Sequence, residues 1–455
     1  MPFFFLFYSE ITYIRMPGNR IFIGFNLKEI PDFREKLLQW AFGTYNRIAF
    51  LNSNSFNSDK HGEYESILAI GETQAIRINN NSTDAFNALK EFADSCNDWI
   101  FGFMSYDLKN QVEQLKSENY DGIRMPLMYF FRPEVLFILK KNSIEIGLPD
   151  KTDKNHEEIF NSIINTSKGI PLSQNVDIQP RLSKKEYIKN IEIIKEHIQL
   201  GDIYEMNYCF EFYAENAEIC PITSYQKLNE SSPAPFSVFF RLDDKYLLSS
   251  SPERYLKKNR KHIMSQPIKG TIHRGYSPEE DEKLKEQLFN DQKERSENVM
   301  IVDLVRNDLS RIAKKDSVKV EELYGIYSFA KVHQMISTVS CEMNDSVHFT
   351  DVIKATFPMG SMTGAPKIRA MELAEKYEIT KRGLYSGAVG YITPEKDFDF
   401  NVVIRSVLYN EKSKYLSFMA GSAITARSEP EKEHKECLLK AKAMAAVFGQ
   451  KILFD

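Results

Sequence analysis

The chain lacks what disulfide scaffolds and metal–thiolate centres are built from. Its 455 residues include only five cysteines, Cys96, Cys209, Cys220, Cys341 and Cys437, far apart and without a C-x-x-C pair. That spacing speaks against bridges and zinc, and fits reduced thiols in a cytoplasmic protein. Segregated charge is missing too. Fifty-nine Lys and Arg offset 63 Asp and Glu to a net −4, mixed along the chain. There is no basic field for nucleic acid and no polybasic membrane patch, so partners must bind at local sites. Long apolar runs are also scarce. The opening "MPFFFLFYSEITYI" has no basic leader or small-residue cleavage site, and Glu10 interrupts it well short of the roughly 20 residues of a membrane span. It reads as a strand, and Met16 offers a second plausible start.

What is present is a core-forming chain, 42% hydrophobic, long enough for two or three ordinary domains or one large one. Repeats and low-complexity blocks are lacking. Apolar periodicity fades over about 141–180, which reads as a linker between a mostly-β region (1–175) and a second domain (176–455). In the second domain, Ser183 and Glu186 form a capping box, followed by Ile188, Ile191, Ile194 and Ile198 at helical spacing. A hairpin is expected around Asp243-Asp244-Lys245, its second run broken by "SPER", which puts Glu253 at an irregular strand position.

Ser277 and Glu280 are expected to cap one long helix carrying Glu294 and Glu297, with Val299, Met300, Leu304 and Leu309 facing the core. Ser428 and Glu431 should cap another, carrying Glu433 and Glu436. Each pair is spaced i,i+3 and shares a helix face, a pattern equally at home on a wet surface. If the pairs converge, they suit a hard divalent cation such as Mg²⁺.

"FPMGSMTGAPK" has glycines and a lysine but not the G-x-x-x-x-G-K-[ST] spacing of a phosphate loop, leaving a glycine-rich turn ahead of a helix. "DFNVVIRSVLY" alternates as a strand and puts Arg405 on the face of Val403 and Val407, a fork for a carboxylate. "MAGSAIT" lets backbone approach a ligand. His333 alternates on a strand, where a histidine is as readily a satisfied core residue as a catalyst. Lys269, in "SQPIKGTIHRG", would by itself be a solvated charge on a turn.

Taken in order, "GDIYEMN", "SPER", "PIKGT", "ENVMIVDLVRNDL", "GSMTGAPK" and "IRS" resemble the chorismate-utilising enzymes, which include the anthranilate, aminodeoxychorismate and isochorismate synthases. The resemblance is strong over about 183–450 and weak before it, through "GFMSYD" and "FLNSN", the latter a poor likeness of a tryptophan-pocket segment. It implies an α+β fold of two β-sheets packed as a sandwich, helices outside, with the active site in the cleft between them. "PIKGT" is similar to the aminodeoxychorismate-forming members; anthranilate-forming members have alanine at the lysine's place.

The implied activity joins chorismate and ammonia into 4-amino-4-deoxychorismate through a covalent adduct of Lys269, on the way to p-aminobenzoate and folate. Glu253 is the implied general acid and base, with Thr271 and His333 lining the pocket. Mg²⁺ is implied at Glu297 and Glu436, with Glu294 and Glu433 nearby. Gly270, Arg405, Gly421, Ser422, Ala423 and Lys440 are implied at the substrate. A free lysine is about one part in a few thousand unprotonated at pH 7. Neighbouring cations and burial are expected to raise that fraction, and Gln266, where arginine is common in the family, bears on how cationic the surroundings are. The family also usually has glycine where this chain has Met359 and Ala423. No G-x-C-x-G turn is present, so ammonia is expected from a separate glutaminase subunit, and the chain's end at Asp455 leaves no room for the lyase that follows. Anthranilate synthesis and a non-catalytic tryptophan-binding scaffold are the alternatives.

Overall fold

The structure, a computed structural model, describes residues 13–15, 19–28, 30–56, 59–167 and 176–449. Most of the opening apolar stretch lies outside them, as does Met16. The described strands form two antiparallel sheets, one of thirteen strands and one of ten. They pack face to face, and the reason is visible in the strand alternation. Side chains one apart point to opposite faces, so along Phe236–Leu242 the residues Val238, Phe240 and Leu242 enter the layer between the sheets, while Phe239 points outward to the helices. Val389 and Tyr391 of the second sheet meet them from the other side, with Trp99, Phe101 and Phe103. Helices cover both outer faces. Phe33–Thr44, Lys184–Gln199 and Pro430–Ala446 lie on the larger sheet, and Ala85–Ser95, Gln292–Ser310 and Phe349–Thr356 on the smaller. This is the α+β sandwich that the resemblance implies.

Both sheets draw strands from both sides of residue 175. Arg47–Asn52 pairs with Phe236–Leu242, and Ile100–Met104 with Ala388–Ile392. The expected linker is itself structured over much of its length. Ser143–Pro149 is a strand paired on both edges, and His156–Ile164 is a helix that buries Ile159, Phe160 and Ile163. Its polar composition reflects the outer faces of these short elements.

Some helix expectations also need correcting. The helix that Ser277 caps ends at Asn290, and Asp291 starts a second, Gln292–Ser310, by accepting from the N–H groups of Lys293 and Glu294. Its buried face is Ile301, Val302, Val305 and Leu309, with Val299, Met300 and Leu304 half-buried. The last helix begins at Pro430 with Glu429 as its cap residue. Ser428 instead bonds the Thr425 N–H and the Ala423 carbonyl, closing the turn before it. Ser183 and Glu186 do form the reciprocal box, and the hairpin turns at Asp243-Asp244, with Asp243 in the left-handed region (φ 56°).

Gly102 and Gly390 face each other across neighbouring strands, with the rings of Phe130 and Phe400 beside them, 6.1 Å apart and edge to face. A Cβ at Gly390 would stand 2.0 Å from the Asp399 carbonyl and 2.7 Å from the Phe400 ring. Gly390→Ala is therefore expected to cost about 1–3 kcal/mol by overpacking, read as a lower midpoint in urea unfolding.

Candidate active site

The site forms where strands end and the chain changes sheets. After Lys245–Ser251 in the larger sheet, the chain crosses at Pro252-Glu253 to Arg254–Asn259 in the smaller. It crosses back between Phe398–Val402 and Ser406–Asn410. The two crossings are stitched together: Val402 N–H donates to the Glu253 carbonyl (3.0 Å) and Ser250 N–H to the Arg405 carbonyl (3.1 Å). Arg405 is therefore not on a continuous strand as its alternation suggests. It occupies the return kink, with φ 50°. Among the described residues no carboxylate lies within ion-pair distance of its guanidinium, and burial lowers its pKa. It is a charged fork of the kind that can hold a carboxylate.

Lys269 is the second residue of the strand Ile268–His273, whose pairing with Val332–Glu342 slips between Ile268 and Thr271. Lys269 and Gly270 lie in that irregularity. Gly270 needs its missing side chain: its φ is +94°, and a Cβ there would stand 3.2 Å from Glu294 Oε2 and Met335 Cβ. A bulge of this kind re-aims a side chain out of the pleat. Here it sends Lys269 Nζ to Glu205 Oε1, 2.7 Å away, with the side chains only 11% and 1% exposed.

The charges that act most on Lys269 are carboxylates rather than the expected cations. Burial alone would push its pKa down; Glu205, Glu297 and Glu253 outweigh burial and raise it. The amine rests as an ammonium. Gln266 bonds Arg254 and Thr338, and that arginine also clamps Asp59 and Asp399 behind Glu253. Glu253 is 4% exposed. Burial lifts its pKa to about 7 against the opposing pull of Ser361 and Lys269, so near neutrality it can both give and take a proton.

The two glutamate pairs lie on Gln292–Ser310 and Pro430–Ala446. One ammonium feels both: the charge on Lys293 is stabilised, against burial, by Glu297, Glu433, Glu294 and Glu436. Glu297 is lifted to about 7, first by burial, and Lys269 and Lys293 act against that. Its Oε1 is buried without a hydrogen bond, 3.7 Å from Lys293 Nζ. Glu436 is 46% exposed; partial burial works to raise its pKa, and the ammonium of Lys440, at 2.6 Å, holds it down. Lys440 Nζ also reaches the Gly421 carbonyl at 2.9 Å. Among the described residues no three acidic, histidine or cysteine side chains close on one point as a complete metal cage. An oxygen-only set with an orphaned carboxylate oxygen suits an ion that keeps its waters, such as Mg²⁺.

The remaining residues fall as follows. Gly421 faces Cys209 across the sheet, where a Cβ would stand 2.4 Å from the sulfur. Ser422 is buried, its hydroxyl 3.2 Å from that of Tyr187. Ala423 takes no positive φ, so its methyl costs no backbone strain. Met359 is buried in the helix-covered layer outside the smaller sheet. Thr271 is exposed. His333 is buried with both ring nitrogens engaged, Nδ1 with Ser328 Oγ and Nε2 with Asp281 Oδ1, each at 2.9 Å. Glu205 and Lys293 escaped the sequence reading. An acid at the head of "EMNYCFEFYA" was their nearest signal, and nothing local says that Glu205 meets a lysine 64 positions on.

Fold and site together define an α+β sandwich enzyme with a cluster of carboxylates beside its sheet crossings. Over residues 30–446 the sequence matches the family described as chorismate binding enzymes, and the chain belongs to that family. It is 31% identical over 356 residues to aminodeoxychorismate synthase component 1 of Bacillus subtilis, covering 75% of each chain. It is 32% identical over 363 residues to anthranilate synthase component 1 of Aquifex aeolicus, covering 76% of this chain and 73% of that one. Against the chloroplastic probable aminodeoxychorismate synthase of rice, identity is 42% over 269 residues, 58% of this chain, and the match spans only 30% of the rice protein. Among solved structures, anthranilate synthase component I of Streptococcus pneumoniae superposes with a TM-score of 0.73 at 27% identity, over 83% of this chain and 91% of that one. The menaquinone-specific isochorismate synthase of Escherichia coli shares the fold, with a TM-score of 0.73 at 18% identity over 97% and 96% of the two chains. No helix among the described residues is long and apolar enough to cross a membrane.

The raised pKa of Glu253 has a testable sign. A carboxyl that titrates near 7 when folded and near 4.5 when unfolded binds more protons in the folded state between those values. Its contribution to stability is present below pH 4.5 and is lost as the pH rises through 7. Glu253→Gln should thus be more resistant to urea than wild type at pH 8, by up to about 3 kcal/mol, with the gain vanishing near pH 4.5.

Proposed function

We propose that this chain is the chorismate-aminating component of an aminodeoxychorismate synthase, a cytoplasmic enzyme working with a separate glutaminase subunit that supplies ammonia. Its product, 4-amino-4-deoxychorismate, would serve p-aminobenzoate and folate synthesis. One observation carries the reading: a largely buried amine, Lys269, is aimed by a strand irregularity into a cluster of carboxylates, where its charge is felt by Glu253.

The chemistry follows from those groups. Lys269 first gives up a proton. Its Nζ then bonds to ring carbon C2, the double bonds shift, and the C4–O bond breaks as the hydroxyl takes the proton of Glu253 and leaves as water. Ammonia next bonds to C4 and the C2–N bond breaks, freeing Lys269. The Glu253 carboxylate removes one proton from the new C4 ammonium, and Lys269 is reprotonated, restoring both groups. Arg405 and the backbone at Gly421, Ser422 and Ala423 would hold a substrate carboxylate, with Lys440 bracing the Gly421 carbonyl. Glu297 and Glu436 would hold Mg²⁺, with Glu294 and Glu433 alongside; when bound, the ion would neutralise the ring carboxylate. Thr271 and His333 would border the pocket, the histidine as a fixed wall.

Anthranilate synthesis is the second reading, supported by the Aquifex relative, and it leaves the buried lysine without a role. A non-catalytic chain that only binds tryptophan is the third. Incubating the protein with chorismate, Mg²⁺ and ammonium and resolving products by mass separates them. The expected product is 4-amino-4-deoxychorismate; anthranilate or unchanged chorismate would overturn the proposal. Lys269→Ala should lower turnover by about 1,000-fold or more while chorismate binding, followed by fluorescence titration, persists.

A further inference from the structure

Lys269 as it stands cannot be a nucleophile, because an ammonium has no lone pair to donate. Its proton needs a destination. Three carboxyls from three elements act on Nζ: Glu205 from the start of the strand Glu205–Ala214, Glu253 from the sheet crossing, and Glu297 from the helix Gln292–Ser310. Glu294 and Glu436 feel the same charge from farther off. Glu253 has to enter the reaction protonated, so it cannot be the acceptor. Glu297 belongs to the helix face turned toward Lys293 and Glu433, and no hydrogen bond joins it to Nζ.

Among the described residues, Glu205 alone holds Nζ in a hydrogen bond, at 2.7 Å. Its other oxygen, Oε2, is buried without a partner, which leaves the carboxylate little fixed stabilisation apart from the lysine. The strand pairing of Glu205 with Ala365 on one side and Thr425 on the other holds its backbone rigid. We propose that Glu205 is the proton partner of Lys269: it keeps the amine charged before substrate binds and accepts that proton, along the existing hydrogen bond, when Nζ bonds to carbon. The balance closes with the amination proposed above, on which this inference rests. One proton passes from Nζ to Glu205 before the N–C2 bond forms, and the same proton returns when that bond breaks.

Glu205→Gln is nearly isosteric and keeps an oxygen for the lysine, yet it can neither stabilise the ammonium by charge nor take its proton. Two readouts then move in opposite directions. Labelling of Lys269 by trinitrobenzenesulfonate at pH 8 in the substrate-free protein, followed by mass on the Lys269 peptide, should be at least about fivefold faster than in wild type. Turnover should be about 30-fold slower or worse, with KM within about threefold. A local packing defect would not make the amine more reactive and the enzyme slower. Glu205→Asp, which restores the charge, should bring labelling back toward the wild-type rate and recover part of the turnover. Unchanged or slower labelling in Glu205→Gln, or turnover within threefold of wild type, overturns the proposal. If wild type forms no aminated product, the assigned activity fails, while the labelling comparison still judges the Glu205–Lys269 pair.

Discussion

A charged amine largely withdrawn from water survives only if carboxylates are buried with it, and the architecture around Lys269 serves that requirement. Removing a single ion from water costs several kcal/mol even after relaxation. Lys269 meets that cost with partners from distant parts of the chain: the head of one strand, a crossing between sheets and a helix face. Each partner is itself desolvated, and Glu253 and Glu297 are consequently lifted to about 7. The cluster is thus strained in charge while rigid in position. Such pairs of opposed environments are how one site holds acids and bases ready at the same pH.

The sandwich supplies the rigidity. Between the sheets the packing is aromatic and apolar, with Phe103 and Phe240 edge to face at 5.3 Å, so the backbones that emerge from it are fixed. Where they emerge, strand geometry fails: at Pro252-Glu253, at the Arg405 kink, and at the slipped register of Lys269 and Gly270. Irregular backbone is costly inside a sheet and useful at its end, because there it can present a side chain or a carbonyl to a ligand. Arg254 exploits the same place from behind. Its guanidinium joins Asp59, Asp399 and Gln266, tying a loop of the first hundred residues to the strand that follows Glu253.

The parts of this arrangement that are local in sequence are legible there. The Ser183 box, the hairpin at Asp243-Asp244 and the two E-x-x-E faces follow from spacing alone, because each depends on neighbours a few residues apart. Longer-range features are not so marked. No apolar residue falls between Phe289 and Val299, so the hydrophobic pattern cannot place the boundary at which the Asp291 carboxylate caps a new helix. "DFNVVIRSVLY" reads as one strand, yet its two ends belong to different sheets. The sign of the charge around Lys269 is also a property of the fold: its ion-pair partner is remote in sequence, while the local feature suspected of tuning it, Gln266, is turned to Arg254.

The charge count of the assembled cleft bears on how it is filled. Glu205, Glu253, Glu294, Glu297, Glu433 and Glu436 face Lys269, Lys293, Lys440 and Arg405, six acids against four bases. At neutral pH, Glu253 and Glu297 each hold a proton part of the time, which brings the cluster close to balance without any ligand. A substrate with two carboxylates would tip it negative. Arg405, with no carboxylate beside it, can answer for one of those charges; the other calls for a cation from outside. The E-x-x-E faces are where that cation would be best received, since a divalent ion there would keep Glu297 ionised and free Lys293 from serving as its counter-charge. The four helix glutamates and the Lys269 cluster are accordingly one electrostatic unit, and Glu297, whose charge acts on both Lys269 and Lys293, joins its two halves.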